Sequence, residues 1–136
     1  MARWLFKEEP THYNFGDLAR DGKTLWNGVT NNLALQHLRR VRAGDDVFFY
    51  HTGTERAVVG VMRVVSDPRP DPEAGNEKLV AVEVEVVRQL PRAVTLDEIK
   101  NDKALKGWDL VRLPRLSIVP VTDAQWRRIE TLAAKK

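Results

Sequence analysis

The segment Trp26-Asn27-Gly28-Val29-Thr30-Asn31-Asn32 combines residue types that serve nucleobase recognition. An indole offers a flat stacking surface, worth about 1–3 kcal/mol per stacked base. Gly28 lets the backbone approach a ligand closely, and the carboxamide of Asn27 or Asn31 can pair bidentately with a base edge. Asn31 or Asn32 is also placed to cap a helix, whose N-terminus favours phosphate. The same residues allow a plainer arrangement, with Trp26 in the core and the asparagines serving only as caps. Stacking requires one open ring face, so the recognition reading expects the indole to be only partly buried in the empty protein.

Tyr50-His51-Thr52 follows the apolar run Val47-Phe48-Phe49, so its polar groups fall at a strand end, facing a rim. There His51 and Thr52 can supply hydrogen bonds and Tyr50 a second ring, unless Tyr50 merely continues the apolar run and His51-Thr52 begin a turn. Lys7 closes the first strand and can reach a phosphate. Glu8 and Glu9 alternate to opposite faces of a strand and make no catalytic pair. Asp45-Asp46 has no third acidic or histidine ligand nearby, and Ser117 has no Gly-x-Ser-x-Gly context. The histidines His12, His37 and His51 lack metal-ligand spacing, and with no cysteine the chain has no thiolate nucleophile or disulfide. No metal and no cofactor is expected.

These residues are positioned by a mixed set of short elements. Arg3–Lys7 reads as a strand stopped by Pro10, and Asn14 caps a short helix that Gly22 closes in the left-handed conformation. Trp26–Val29 reads as a loop, followed by a helix with Leu35, Leu38 and Val41 on one face. Asp46–His51 and Ala57–Ser66 pair as a hairpin, Asp67–Glu77 is a proline-rich loop, and Leu79–Val87 alternates as a half-buried strand. Thr95-Leu96-Asp97-Glu98 and Thr122-Asp123-Ala124-Gln125 have capping-box spacing. Leu110–Val111 and Leu116–Val121 are candidate final strands, and the last helix buries Trp126, Ile129 and Ala133, with Val121 and Trp126 forming a hydrophobic staple. The first strand is followed by Lys7-Glu8-Glu9-Pro10 and not by a glycine-rich turn, which argues against a doubly wound nucleotide fold.

The chain has 136 residues, 43% hydrophobic and 30% charged, which suits one domain spanning 1–136. Its apolar runs are too short to span a bilayer, and the start shows no secretory signal, so a cytoplasmic, monomeric protein without membrane attachment is expected. The net charge of +3 is uneven: residues 1–99 carry 13 basic and 15 acidic side chains, residues 100–136 carry 9 and 4. A basic end that includes Arg112 and Arg115 suits a polyanion, and those two are candidate contacts to a nucleic-acid backbone.

Several blocks, in order, resemble one family. They are Phe6-Lys7-Glu8-Glu9-Pro10, Trp26–Asn31, Gly44-Asp45 with Phe49-Tyr50-His51-Thr52, Val59-Gly60-Val61, Pro70-Asp71-Pro72, Val94-Thr95-Leu96 with Ile99-Lys100, and Arg115–Val121. Together they resemble the EVE domain of the PUA-like superfamily over nearly the whole chain. The resemblance implies an α+β fold: a small, partly open β-barrel with short helices packed around it. It also implies a non-enzymatic reader of a modified base in DNA or RNA, through a pocket with aromatic walls. Carried over, it places Lys7, Trp26, Tyr50, His51, Thr52 and Ser117 around one mouth, joined by Asn27, Gly28, Val29 and Asn31 of the Trp26 loop. The family commonly has Asp at the position of Asn27, Arg at Thr30, Ser at Thr52 and an aromatic at Leu79. Two alternatives accompany this reading: a small enzyme acting on a modified base or nucleotide, with Lys7, Glu8 or His51 as acid–base groups, and an RNA-binding module indifferent to modification.

Overall fold

Apolar residues run consecutively in Trp4-Leu5-Phe6 and Val47-Phe48-Phe49-Tyr50 because both strands are covered on both faces. The computed structural model describes residues 1–135. Along the chain its elements are β1 (Arg3–Glu8), α1 (Phe15–Asp21), β2 (Lys23–Trp26), α2 (Asn32–Leu38), β3 (Asp46–His51), β4 (Ala57–Val64), β5 (Arg69–Pro70), β6 (Val80–Thr95), α3 (Leu96–Lys100), a single 3-10 turn at Lys103–Leu105, α4 (Asp109–Arg112), β7 (Ile118–Val121) and α5 (Asp123–Ala133). The sheet order is β2-β6-β4-β3-β1-β7, with β5 paired to β6. β1 and β3 run parallel, and the remaining pairs are antiparallel. Register shifts at Phe49/Tyr50, Val58/Gly60 and Val61/Met62 bend the strands. The sheet does not close, since β2 and β7 remain unjoined edges, so the architecture is α+β with an open side, as the resemblance implies.

The two faces of β3 divide the core. On one, Phe48 stacks on Trp126 of α5, with ring centroids 3.7 Å apart and planes 10° off parallel. On the other, Phe49 meets Trp26 and Phe15 edge-on. Phe15 reaches the sheet because residue 60 is glycine: a Cβ there would lie 2.2 Å from the Phe15 ring. Asn14, Thr95 and Thr122 each form a full capping box with Asp17, Glu98 and Gln125. These interactions fix where α1, α3 and α5 begin. Gly22 follows α1 with φ 78°. Among the described residues, no helix is long and apolar enough to cross a membrane.

Several element expectations need correction. Lys23–Trp26 is a strand, because β6 supplies it with a ladder at Val82–Glu85 that its own sequence does not announce. β6 continues past Val87 to Thr95, despite Pro91. Its pairing with β4 passes from Gln89 to Val94, so the proline sits where no ladder donor is required. Leu110–Val111 belongs to α4, with Val111 N–H donating to the Trp108 carbonyl at 2.9 Å. β4 ends at Val64, not Ser66, and Val41 is buried beyond the end of α2.

Candidate functional site

The end of β1, the Trp26–Asn31 segment, the loop before β6 and Ser117 before β7 surround a cavity of about 570 Å³. That volume lies within the usual range of about 300–1,000 Å³ for small-molecule sites. Two loops form its walls, and a buried carboxylate ties them together. Asp71, 6% exposed, accepts from Gly28 N–H at 3.2 Å and from Glu73 N–H at 3.0 Å. Its own N–H donates to the Leu79 carbonyl at 2.8 Å, closing the loop around it. Gly28 has φ 77°, a conformation that favours glycine. Asn27 Nδ2 donates to Glu73 Oε2 at 3.0 Å, a second link between the walls.

Lys7 guards one side. Its Nζ donates to the Pro114 carbonyl at 2.9 Å and lies 5.5 Å from the Tyr50 ring centroid. Burial pushes its pKa down to about 8, because the charged ammonium loses hydration there. Glu8, Asp71 and Glu73 line the same cavity. A lining with several carboxylate acceptors and one amine suits a ligand with hydrogen-bond donors on its edge and negative charge placed at Lys7.

Of the anticipated residues, Lys7, Trp26, Asn27, Gly28, Val29, Asn31 and Ser117 line this cavity. Trp26 is placed differently from expectation: it is 5% exposed and not half-open. Its ring is wedged against Phe6 at 5.4 Å and Phe49 at 5.3 Å, because β2 carries it onto the inner face of the sheet. It forms part of the floor and offers no free stacking face. Asn31 Oδ1 is occupied by Ala34 N–H at 3.0 Å, so this side chain serves as the α2 cap. α2 is only seven residues long.

Tyr50, His51 and Thr52 do not line the cavity. Tyr50 is buried behind Lys7, and burial raises its phenol pKa to about 12. His51 turns towards α1, where its Nε2 accepts from Phe15 N–H at 3.0 Å while Nδ1 lies 2.8 Å from Glu55 Oε1. An acceptor at Nε2 requires the proton on Nδ1, so both ring nitrogens are engaged and neither is free for proton transfer to a ligand. Thr52 N–H donates to the Glu8 carbonyl at 3.0 Å, continuing the parallel pairing of β1 and β3. Arg112 pairs with Asp109 in its own helix. Arg115 lies on an adjoining groove.

The site also uses Thr30 of the candidate segment and Leu79, together with residues that the sequence reading did not single out for it: Asp71, Glu73, His12 and Ala74. The available signal was Asp71 itself, an acid held between Pro70 and Pro72 in an otherwise polar loop.

Comparison with known proteins gives these features a context. The EVE domain family matches residues 2–132. Thymocyte nuclear protein 1 of Homo sapiens is 30% identical over 169 aligned residues, covering 99% of this chain and 75% of that protein. A protein from Agrobacterium tumefaciens superposes with a TM-score of 0.95 at 31% identity, covering 98% of this chain and 94% of that one. The human THYN1 protein, solved in complex with 5-methylcytosine-containing DNA, superposes with a TM-score of 0.90 at 28% identity, covering 100% of this chain and 99% of that chain. The shared sequence extends through both walls of the cavity and the sheet that carries them, and the chain belongs to the EVE domain family.

Proposed function

We propose that this domain binds DNA carrying a modified base, and that the base enters the cavity between the Trp26–Asn31 segment and the Asp71–Leu79 loop. The observation that carries this reading is the cavity itself: a base-sized opening with Trp26 in its floor and with Glu73, Glu8 and Lys7 on its lining. It gains support from the relation to a human protein solved with 5-methylcytosine-containing DNA.

The chemistry favours a base with an exocyclic amine. A carboxylate such as Glu73 accepts from the N4 amino group of cytosine, whereas the O4 carbonyl of thymine would meet it lone pair to lone pair. Val29 and Leu79 supply apolar surface for a small substituent on the ring. Lys7 contacts phosphate, and Ser117 adds a hydroxyl at the mouth. Extracting a base from a duplex costs a few kcal/mol, which phosphate contacts and pocket contacts together must offset. The protein acts here by binding without turnover, as a monomer, and the reading requires no metal or cofactor.

The test is the affinity of the purified protein for matched oligonucleotides, as DNA and as RNA, carrying cytosine, 5-methylcytosine, 5-hydroxymethylcytosine or N6-methyladenine. Salt must be held fixed because it sets the electrostatic background. The expected result is a preference of about tenfold or more for one modified cytosine, equivalent to about 1.4 kcal/mol. Equal affinity for all of them would sink the proposal, and a uniform preference for structured RNA would replace it with modification-independent binding.

A further inference from the structure

We infer that the apolar groove beside the base pocket holds the nucleotide next to the modified base on the same strand, an inference that rests on the reading above. The groove has a volume of about 320 Å³ and is lined by Asn31, Leu33, Leu113, Pro114, Arg115 and Leu116. It is continuous with the base pocket: Asn31 lines both, and the Pro114 carbonyl that accepts from Lys7 Nζ stands on the ridge between them. A strand whose base occupies the larger cavity therefore passes its next nucleotide over Lys7 and Pro114.

Charge selects this direction over any other exit. A nucleic-acid strand carries a negative charge at every phosphate, and the Glu8 and Glu73 carboxylates on the cavity lining repel it. The groove is lined by no carboxylate and carries the exposed Arg115. The groove floor also fits a base in kind. Leu33 is 39% exposed, and among the described residues it shares that status as a large exposed apolar side chain only with Met1 and Val87. At the second position of α2 a polar or acidic residue would serve the helix as well or better. Helix packing therefore gives no reason for leucine there. An apolar face with an adjacent guanidinium accommodates an unstacked base and its phosphate, as flanking nucleotides are held when a neighbour is flipped.

The test compares the wild-type chain with Leu33→Asp and Leu33→Ser, titrated with 5-methyl-2′-deoxycytidine and with its two dinucleotides bearing thymidine on the 5′ or the 3′ side. Acidic and hydroxyl side chains are at home in a first helical turn, so both variants retain the fold. Wild type is expected to bind at least one dinucleotide about tenfold tighter than the nucleoside. Both variants are expected to lose that gain while their nucleoside affinity stays within about twofold of wild type. Three results would overturn the inference: dinucleotides no tighter than nucleoside in wild type, a gain that survives in both variants, or variants that weaken the nucleoside as much as the dinucleotides. Failure of the underlying reading looks different, because then neither nucleoside nor dinucleotide binds the wild-type chain, and both ideas fall together.

Discussion

Replacing Trp26 with alanine separates a floor from a stacking platform. The indole is almost completely enclosed and contacts Phe6 and Phe49 at centroid distances of 5.4 and 5.3 Å. A tryptophan buries about 150–250 Å², or about 4–6 kcal/mol at 25 cal/mol per Å². Residual burial in the unfolded chain and partial collapse of the gap bring the measured cost of such truncations to about 3–5 kcal/mol. In a domain of this size that corresponds to a fall in melting temperature of roughly 10–20 °C. It is also a large part of a typical total stability of about 5–15 kcal/mol. Trp26→Phe keeps an aromatic ring between Phe6 and Phe49 and should cost less than half as much. Thermal unfolding by circular dichroism and affinity for a 5-methylcytosine oligonucleotide are measured on both variants. Trp26→Ala is expected to melt far below wild type, and Trp26→Phe to remain folded with affinity within a few-fold. A Trp26→Ala protein melting within about 3 °C of wild type would refute the core assignment. A Trp26→Phe protein of unchanged stability that lost more than about tenfold in affinity would show that the indole face does touch the base.

Burial places the Lys7 pKa near 8 against an ordinary value of 10.5. Phosphate contact needs the charged form, so DNA affinity should fall as pH rises through 8. Lys7→Arg, charged throughout, should flatten that profile, and a wild-type affinity constant from pH 6.5 to 9.5 would contradict the assigned contact. Folding stability carries the opposite sign: between about pH 8 and 10.5 the unfolded chain binds more protons at Lys7 than the native one. The Lys7 contribution to stability therefore rises across that window, and its burial penalty is fully present below it. Asp71→Ala removes the acceptor for Gly28 N–H and Glu73 N–H. The expected cost is about 1.5–3 kcal/mol per lost charge-assisted bond, together with weaker base binding as the two walls separate. Calorimetric unfolding and base titration of that variant check both, and a wild-type affinity would show that the link does not shape the cavity.

What the sequence by itself determined was local. The cap at Asn14, the capping boxes at Thr95 and Thr122, the helix faces they open and the consecutive apolar runs of β1 and β3 all stand where their residues point. Caps satisfy backbone donors within three residues, so the sequence contains both partners. The ordered blocks from Phe6 to Val121 carried the family and its fold for a related reason: each records a local constraint of the same barrel.

Tertiary structure decided the rest. β2 exists because β6 lies beside it, and β6 survives Pro91 because the ladder skips that stretch. The inward turn of Trp26 follows from that pairing. His51 and Thr52 leave the mouth because Phe15 N–H and the Glu8 carbonyl claim them. Asp71 becomes part of the cavity by meeting Gly28 across 43 positions. Contacts of that span depend on which strands become neighbours, and no local pattern of polarity or spacing encodes them.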